Sequence, residues 1–239
     1  MSGRLEGRIA LVTGASRGIG RALAKRFCEE GATVIAVART QGALEELDDE
    51  VRADGRGTLV LVPEDLRNAE KIDQVAAALY QRFGKLDILI GNAGTLGTLC
   101  PMSHLKPKHW DDVLNTNLTA NWQLIRYMEP LLRLSDAGRA VFVTSSVGQT
   151  PRAFWSAYAV SKAGLEMMVQ TWAEELGKTP IRANLYDPGG TRTRMRTSAF
   201  PGEDPDKLPA PEVHCEPILD LVSPQCDKQG QRIAFKDLA

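Results

Sequence analysis

Arg8-Ile9-Ala10-Leu11-Val12-Thr13-Gly14-Ala15-Ser16-Arg17-Gly18-Ile19-Gly20 runs straight into a helical pattern, Ile19, Leu23 and Phe27 recurring every four residues before Gly31 stops it. Arg8–Val12 is a short apolar run of strand length, and the spacing after it is that of a helix packed by one face. Strand, glycine loop and helix in this order suit a dinucleotide. The glycines let the backbone turn tightly and approach a pyrophosphate, while the helix N-terminus offers N–H groups and a partial positive charge. A glycine triplet alone often marks only a turn; the strand before and the helix after favour the nucleotide reading. Gly14, Ser16, Arg17, Gly18, Ile19 and Gly20 are therefore cofactor-binding candidates.

The same alternation continues along the chain. Strand-like runs fall at Thr33–Ala38, Thr58–Val62, Leu86–Ile90, Ala140–Thr144, Ile181–Tyr186 and Gly230–Phe235. Helical patterns fall between them at Gly42–Asp54, Asn68–Phe83, Pro107–Leu132, Trp155–Leu176 and Pro217–Val222. Strands separated by helices predict a parallel sheet covered on both faces, an α/β fold with one doubly wound, Rossmann-type domain over residues 1–239. Arg194–Val213 breaks the pattern with Pro201, Pro205, Pro209 and Pro211. Too little chain follows for a second domain, so about 190–213 is expected to be an irregular substrate lid.

Composition narrows the function. Of the 239 residues, 43% are hydrophobic and 25% charged, which places the chain with ordinary soluble globular proteins. A formal net charge of −1 gives no basic signature for nucleic acid. No apolar run reaches the roughly 20 residues of a membrane span, and Met1–Arg8 lacks a signal-peptide core. Cys28, Cys100, Cys215 and Cys226 are far apart, and His104, His109 and His214 show no metal-ligand spacing. Neither a metal site nor a disulfide framework is expected, and the setting expected is reducing and cytoplasmic.

The second strand ends Ala38-Arg39. An NAD site usually has an acid here for the ribose 2′-hydroxyl; Ala38 cannot serve, whereas Arg39 and Arg17 suit a 2′-phosphate. The alternative is two solvated arginines, but the missing acid favours NADP, with NADPH preferred over NADH. Asp65-Leu66 lies beyond the third strand, so Asp65 either meets the adenine edge or caps the next helix. Gly91-Asn92-Ala93-Gly94 after the fourth strand permits close approach of a ligand, or is merely a tight turn. Asn117 falls on the apolar side of its helix, as structural glue or part of a polar site.

The fifth strand delivers Ser145, and Ser146 should face the other way. Tyr158 and Lys162 stand four apart, on one helix face with roughly 6 Å of rise between them. A phenol ionises near ~10, and a neighbouring ammonium favours the phenolate, bringing it within range for proton transfer. Beyond the sixth strand comes Asp187-Pro188-Gly189-Gly190-Thr191-Arg192-Thr193, then Arg194 and Arg196. Arg192, Arg194 and Arg196 attract an anionic tail or cofactor phosphates, or form a solvated face.

Together these pieces resemble the short-chain dehydrogenase/reductase family in its main branch: Thr13-Gly14-x3-Gly18-x-Gly20, Asp65-Leu66, Asn92-Ala93-Gly94, Asn117, Ser145, Tyr158-x3-Lys162 and Pro188-Gly189-x3-Thr193, in order over nearly the whole chain. The glycine loop and tail motif look like the 3-oxoacyl-carrier-protein reductase neighbourhood. Asp187–Pro205 looks like a bacterial oxidoreductase subgroup. The resemblance implies a catalytic set of Asn117, Ser145, Tyr158 and Lys162. Tyr158 would protonate a carbonyl oxygen as hydride arrives from the nicotinamide. Lys162 would hold the nicotinamide ribose, Ser145 would polarise the carbonyl, and Asn117 would keep a water behind Lys162. Gly14, Arg17, Gly18 and Ile19 would line the pyrophosphate and ribose. Asp65 and Asn92 would flank adenosine, and Gly189 and Thr193 the nicotinamide end; Leu66, Ala93, Gly94, Pro188 and Thr191 belong to the same motifs.

The implied substrate is a small-molecule carbonyl, an acyl or anionic ketone among the candidates. Association as a homodimer or homotetramer would run through Pro107–Leu132 and Trp155–Leu176. A different class of function, an idle NADP(H)-binding sensor or scaffold on this fold, predicts decay of the catalytic set, yet all four residues stand. The enoyl-reducing branch spaces its Tyr and Lys more widely, which favours C=O over C=C here. The chain finishes Ile233-Ala234-Phe235-Lys236-Asp237-Leu238-Ala239, where family members commonly carry an Asp-Gly-Gly-like turn.

Overall fold

The computed structural model describes residues 3–238; Met1, Ser2 and Ala239, at the ends of the expected 1–239 domain, lie outside the described residues. The chain runs β1 (Ile9–Thr13), α1 (Gly18–Glu29), β2 (Thr33–Val37), α2 (Gln41–Asp54), β3 (Thr58–Val62), α3 (Ala69–Phe83) and β4 (Ile88–Gly91). It continues through α4 (Pro107–Leu114), α5 (Ala120–Leu132), β5 (Arg139–Val143), α6 (Ser156–Leu176), β6 (Arg182–Asp187), α7 (Arg194–Ala199), α8 (Cys215–Val222) and β7 (Arg232–Ala234). Among the described residues the strands form one sheet in the order β3-β2-β1-β4-β5-β6-β7, and every adjacent pair is parallel. This is the doubly wound α/β fold.

The two-residue period of the strands sorts their side chains between two cores. Ala10 and Val12 of β1 pack with Leu23, Phe27, Leu44, Ile218 and Leu219 from α1, α2 and α8. Leu11 faces the other way, toward Leu79, Leu124, Met128, Leu165, Val169 and Trp172 from α3, α5 and α6. All five residues of β5 are buried, which is why the strand reads as a continuous apolar run after Arg139. Among the described residues no helix is long and apolar enough to cross a membrane.

Two segments depart from the sequence reading. Pro107–Leu132 is not one regular helix: Asn115–Thr119 forms a π-helical turn between α4 and α5. A π turn adds a residue without changing which positions are apolar, so a period measured over the whole stretch does not register it. The segment expected to be irregular at Arg194–Val213 contains α7 and short 3-10 turns at Pro205–Lys207 and Pro211–His214. Thr193 caps α7, its Oγ1 accepting from the Arg196 N–H at 3.3 Å. The helix has six residues, none buried, and so carries no apolar stripe to read.

Candidate active site

The strand order reverses direction between β1 and β4, and in such sheets the crevice beyond the carboxyl ends of the strands receives the ligand. Thr13 closes the floor of that crevice. Its Oγ1 donates to the Ile90 carbonyl at 2.9 Å and accepts from the N–H groups of Asn92 and Ala93 at 2.9 and 3.0 Å. Asn92 Nδ2 returns a bond to the Thr13 carbonyl at 2.9 Å. The loop after β4 is thereby clamped to the glycine loop after β1. Gly14 sits at φ +67°, where a Cβ would stand 2.9 Å from Asn92 Nδ2 and 3.0 Å from Ala93 Cα. At Gly20 a Cβ would come within 2.4 Å of both the Gly14 carbonyl oxygen and Asn92 Nδ2. Both positions need glycine for space.

Above this floor lies a cleft of about 620 Å³. It is lined by Gly14, Ser16, Arg17, Gly18 and Ile19 from the first loop, Arg39 after β2, and Asp65 and Leu66 after β3. Asn92, Ala93 and Gly94 follow β4, Ser145 follows β5, Tyr158 and Lys162 come from α6, and Pro188, Gly189, Thr191 and Thr193 follow β6. Two expected site residues do not line it. Gly20 is packed beneath the loop, and Asn117 is fully buried behind it.

At one end, Arg17 and Arg39 are exposed, and among the described residues neither forms an ion pair. Asp65 does not cap α3; Asn68 does, its Oδ1 accepting from the N–H groups of Glu70 and Lys71. Asp65 is instead held by Arg67, 2.6 Å away. That side-chain hydrogen bond keeps its carboxyl below the usual carboxylate range. Arg67 also reaches Asp112 at 3.2 Å, and the sequence reading did not single it out.

At the other end, Ser145 faces the cleft while Ser146 is exposed in the 3-10 turn Ser146–Gly148. Tyr158 is 8% exposed, and burial pushes its phenol up to about 12, with the Ser145 hydroxyl pulling the other way. Lys162 Nζ donates to the Val143 carbonyl at 2.7 Å and lies 5.8 Å from the centre of the Tyr158 ring. Burial also draws Lys162 down to about 8, against the charges of Asp187 and Glu166.

Those two carboxylates are themselves buried and share one cation. Arg232 of β7 meets Glu166 at 3.0 Å and Asp187 at 2.6 Å. Thr144 donates to Glu166 at 2.7 Å, and the Gly189 N–H donates to Asp187 at 2.9 Å. With Lys162, this makes two positive and two negative groups under the cleft. Asn117, in the π turn, accepts from the Thr95 N–H at 2.8 Å and donates to the Thr95 carbonyl at 2.9 Å and to Ser161 Oγ at 3.0 Å. It ties the loop after β4 to the helix that carries Tyr158 and Lys162.

The segment expected to be a lid supplies Arg192, Arg194, Met195, Arg196 and Ala199 to the cleft. Arg192 pairs with Asp206 at 3.4 Å and Arg196 with Glu203 at 2.5 Å, so the three arginines are not equivalent. Trp155, absent from the sequence reading of the site, lines the cleft with its ring edge-on to Tyr158, 5.8 Å between centres. Phe200, at the end of α7, braces Trp155 at 5.7 Å. Leu96 and Thr95 also line the cleft without having been foreseen. Aromatic and apolar wall residues have no signature separating them from core residues in the sequence. A phenol, a hydroxyl and an ammonium at one cleft can exchange a proton with a ligand oxygen and orient it.

Comparison with known proteins agrees with this architecture. The family described as short chain dehydrogenase matches residues 8–204. The oxidoreductase YciK of Escherichia coli K12 is 44% identical over 209 residues, 87% of this chain and 82% of its own. The 3-oxoacyl-[acyl-carrier-protein] reductase FabG of Vibrio harveyi is 32% identical over 230 residues, 92% of each chain. A short-chain dehydrogenase of Shigella flexneri solved in complex with NADP superposes with a TM-score of 0.93 at 39% identity, covering 99% of this chain and all of that one.

Proposed function

The chain belongs to the short-chain dehydrogenase family, and from that membership we propose that it is an NADP(H)-dependent oxidoreductase interconverting a ketone and a secondary alcohol, with Tyr158 as its acid and base. The observation that carries this reading is the single cleft with unpaired Arg17 and Arg39 at one end and Ser145, Tyr158 and Lys162 at the other.

The cleft suits the cofactor on its own features. Gly14 and Gly18 line the cleft with bare backbone that a pyrophosphate can approach, Ala38 offers no acid to a ribose 2′-hydroxyl, and Arg17 and Arg39, without an ion pair among the described residues, suit a 2′-phosphate. The Shigella relative binds NADP, which supports the same preference here. When bound, the nicotinamide group supplies or accepts the hydride. Tyr158 gives its proton to the carbonyl oxygen, or takes it back from the alcohol. Ser145 donates a hydrogen bond to the same oxygen. Lys162 holds the nicotinamide ribose, and its charge favours the phenolate once a second positive charge joins it. Asn117 keeps the Thr95 loop and α6 in register, and the family resemblance gives it the further role of keeping a water behind Lys162.

Trp155 stands next to Tyr158, Leu96, Met195 and Ala199 add apolar lining to the same cleft, and Arg194 is exposed and unpaired among the described residues. An acyl or anionic ketone fits that combination, as does the 3-oxoacyl chemistry in the Vibrio relative's name. Trp122, Val160 and Met167 are 47%, 42% and 66% exposed on α5 and α6, so self-association through these helices is part of the proposal.

Tyr158→Phe tests the acid role. Carbonyl reduction should fall about 10²–10⁴-fold with NADPH binding retained. Wild-type rates from a folded variant refute the role. A screen of simple ketones and 3-oxoacyl thioesters with NADPH then identifies the substrate class.

A further inference from the structure

His214 has no place in the chemistry above and no motif around it. It is fully buried, at the end of the Pro211–His214 turn that leads into α8. Its Nδ1 lies 2.9 Å from the Tyr186 hydroxyl and its Nε2 2.8 Å from the Thr191 hydroxyl. The ring is wedged edge-on between Tyr186 and Phe235, 5.7 and 4.7 Å from their centres. Thr191 Oγ1 in turn donates to the Pro188 carbonyl at 3.5 Å.

Either neutral tautomer satisfies both contacts, one ring nitrogen accepting from one hydroxyl while the other donates to the second. The neutral imidazole that this chain needs is also what burial favours, holding the ring's pKa down at about 4. Tyr186 belongs to β6 and is itself fully buried. The chain Tyr186–His214–Thr191–Pro188 therefore leads from the rigid sheet into the loop that lines the cleft beside Tyr158.

Thr191 and His214 are also the two ends of the lid. Residues 192–213 leave the core at one and return at the other, and the side-chain bond closes the loop at its base. A backbone bond from the Arg192 N–H to the Pro209 carbonyl at 2.9 Å lies just beyond it. Past the closure, Thr193 Cγ2 stands 3.3 Å from where a Cβ on Gly18 would be, so the lid's base touches the glycine loop. On its far side α8 is anchored by Ile218, Leu219 and Val222, all fully buried.

We propose that His214 is a positioning residue: by joining Tyr186 to Thr191 it closes the base of the lid and holds the Pro188–Thr193 loop against the nicotinamide end of the cleft. The inference rests on the NADP(H) reading of that cleft. A histidine serving only the core would instead support both ends of the cofactor alike, through the fold.

The test is calorimetric binding of NADPH and of adenosine 2′,5′-bisphosphate, which carries the 2′-phosphate but no nicotinamide, to wild type, His214→Ala and His214→Gln. Loss of the two hydrogen bonds should raise the Kd for NADPH about tenfold in His214→Ala. The bisphosphate Kd should stay within twofold, and Gln, which can both donate and accept, should recover most of the loss. An unchanged NADPH affinity, or an equal loss for both ligands, overturns the proposal. Should His214→Ala not fold, Tyr186→Phe removes the bond on the sheet side, away from the cleft, and should give the same nicotinamide-selective loss. If wild type binds neither ligand, the cofactor assignment fails separately. The closure is then judged by amide exchange in residues 192–213, which should accelerate in the variant and, if unchanged, also overturns it.

Discussion

In the proposed reading, Arg17 and Arg39 are the single side chains that set cofactor choice, at the end of the cleft away from Ser145, Tyr158 and Lys162. Both line the cleft, both are exposed, and neither is neutralised by a carboxylate among the described residues. Replacing either with Ala should weaken NADPH by about tenfold, in line with one lost charge-assisted hydrogen bond, and leave NADH nearly unchanged. Separate titrations of the two nucleotides check this, and a parallel loss for both would remove the 2′-phosphate argument. His214 has a pH signature of its own. Its folded pKa of about 4 lies below the ordinary 6.5, so the unfolded chain binds the extra proton first. Stability from this residue is complete above pH 6.5 and is lost as pH falls toward 4. A series of Tm values from pH 7 to pH 4 should fall more steeply for wild type than for His214→Gln.

Elements differ in what their polar residues are asked to do. Asn68 caps α3 at the surface, and Asn68→Ala should cost about 1 kcal/mol while leaving activity alone. Asn117 is fully buried and satisfies both the N–H and the carbonyl of Thr95 as well as Ser161. Asn117→Leu strands those groups without water, at about 1–3 kcal/mol for each one left unpaired, and shifts the loop that faces Lys162. Urea unfolding of the two variants, set beside their rates, should show a small loss of stability alone for the first and losses of both for the second. The π turn explains why one asparagine can do this. It interrupts the α4–α5 helix at Asn115–Thr119 and turns the Asn117 side chain toward the Thr95 loop.

Across the whole molecule, the short last strand does more than extend the sheet. Arg232 on β7 is the cation shared by Glu166 on α6 and Asp187 at the end of β6, and it thereby links three elements beneath Lys162. Arg232→Met would leave the two buried carboxylates facing Lys162 as their one nearby cation, at a cost of about 3–5 kcal/mol. Glu166→Gln combined with Arg232→Met should be milder than Arg232→Met alone. Denaturant titration of the single and double variants measures that difference, and additive losses would show that the groups are not coupled.

Much of this was legible along the chain because it depends on local chemistry. Apolar periods place strands and helices; glycines are required where backbone meets backbone at Gly14 and Gly20; Tyr158 and Lys162 share a face because a helix turns every 3.6 residues. Those rules determined the α/β alternation, the glycine loop after β1 and the placing of Tyr158 and Lys162 on one helix face. Other features depend on which distant segments meet. The sharing of Arg232 by Glu166 and Asp187, the clamp of Arg67 on Asp65, the π turn around Asn117, the Trp155–Phe200 wall and the His214–Thr191 closure all join residues that no local pattern connects. Only the tertiary structure decided these, because burial and charge compensation act on neighbours in space, and the sheet order makes neighbours of residues far apart in the chain.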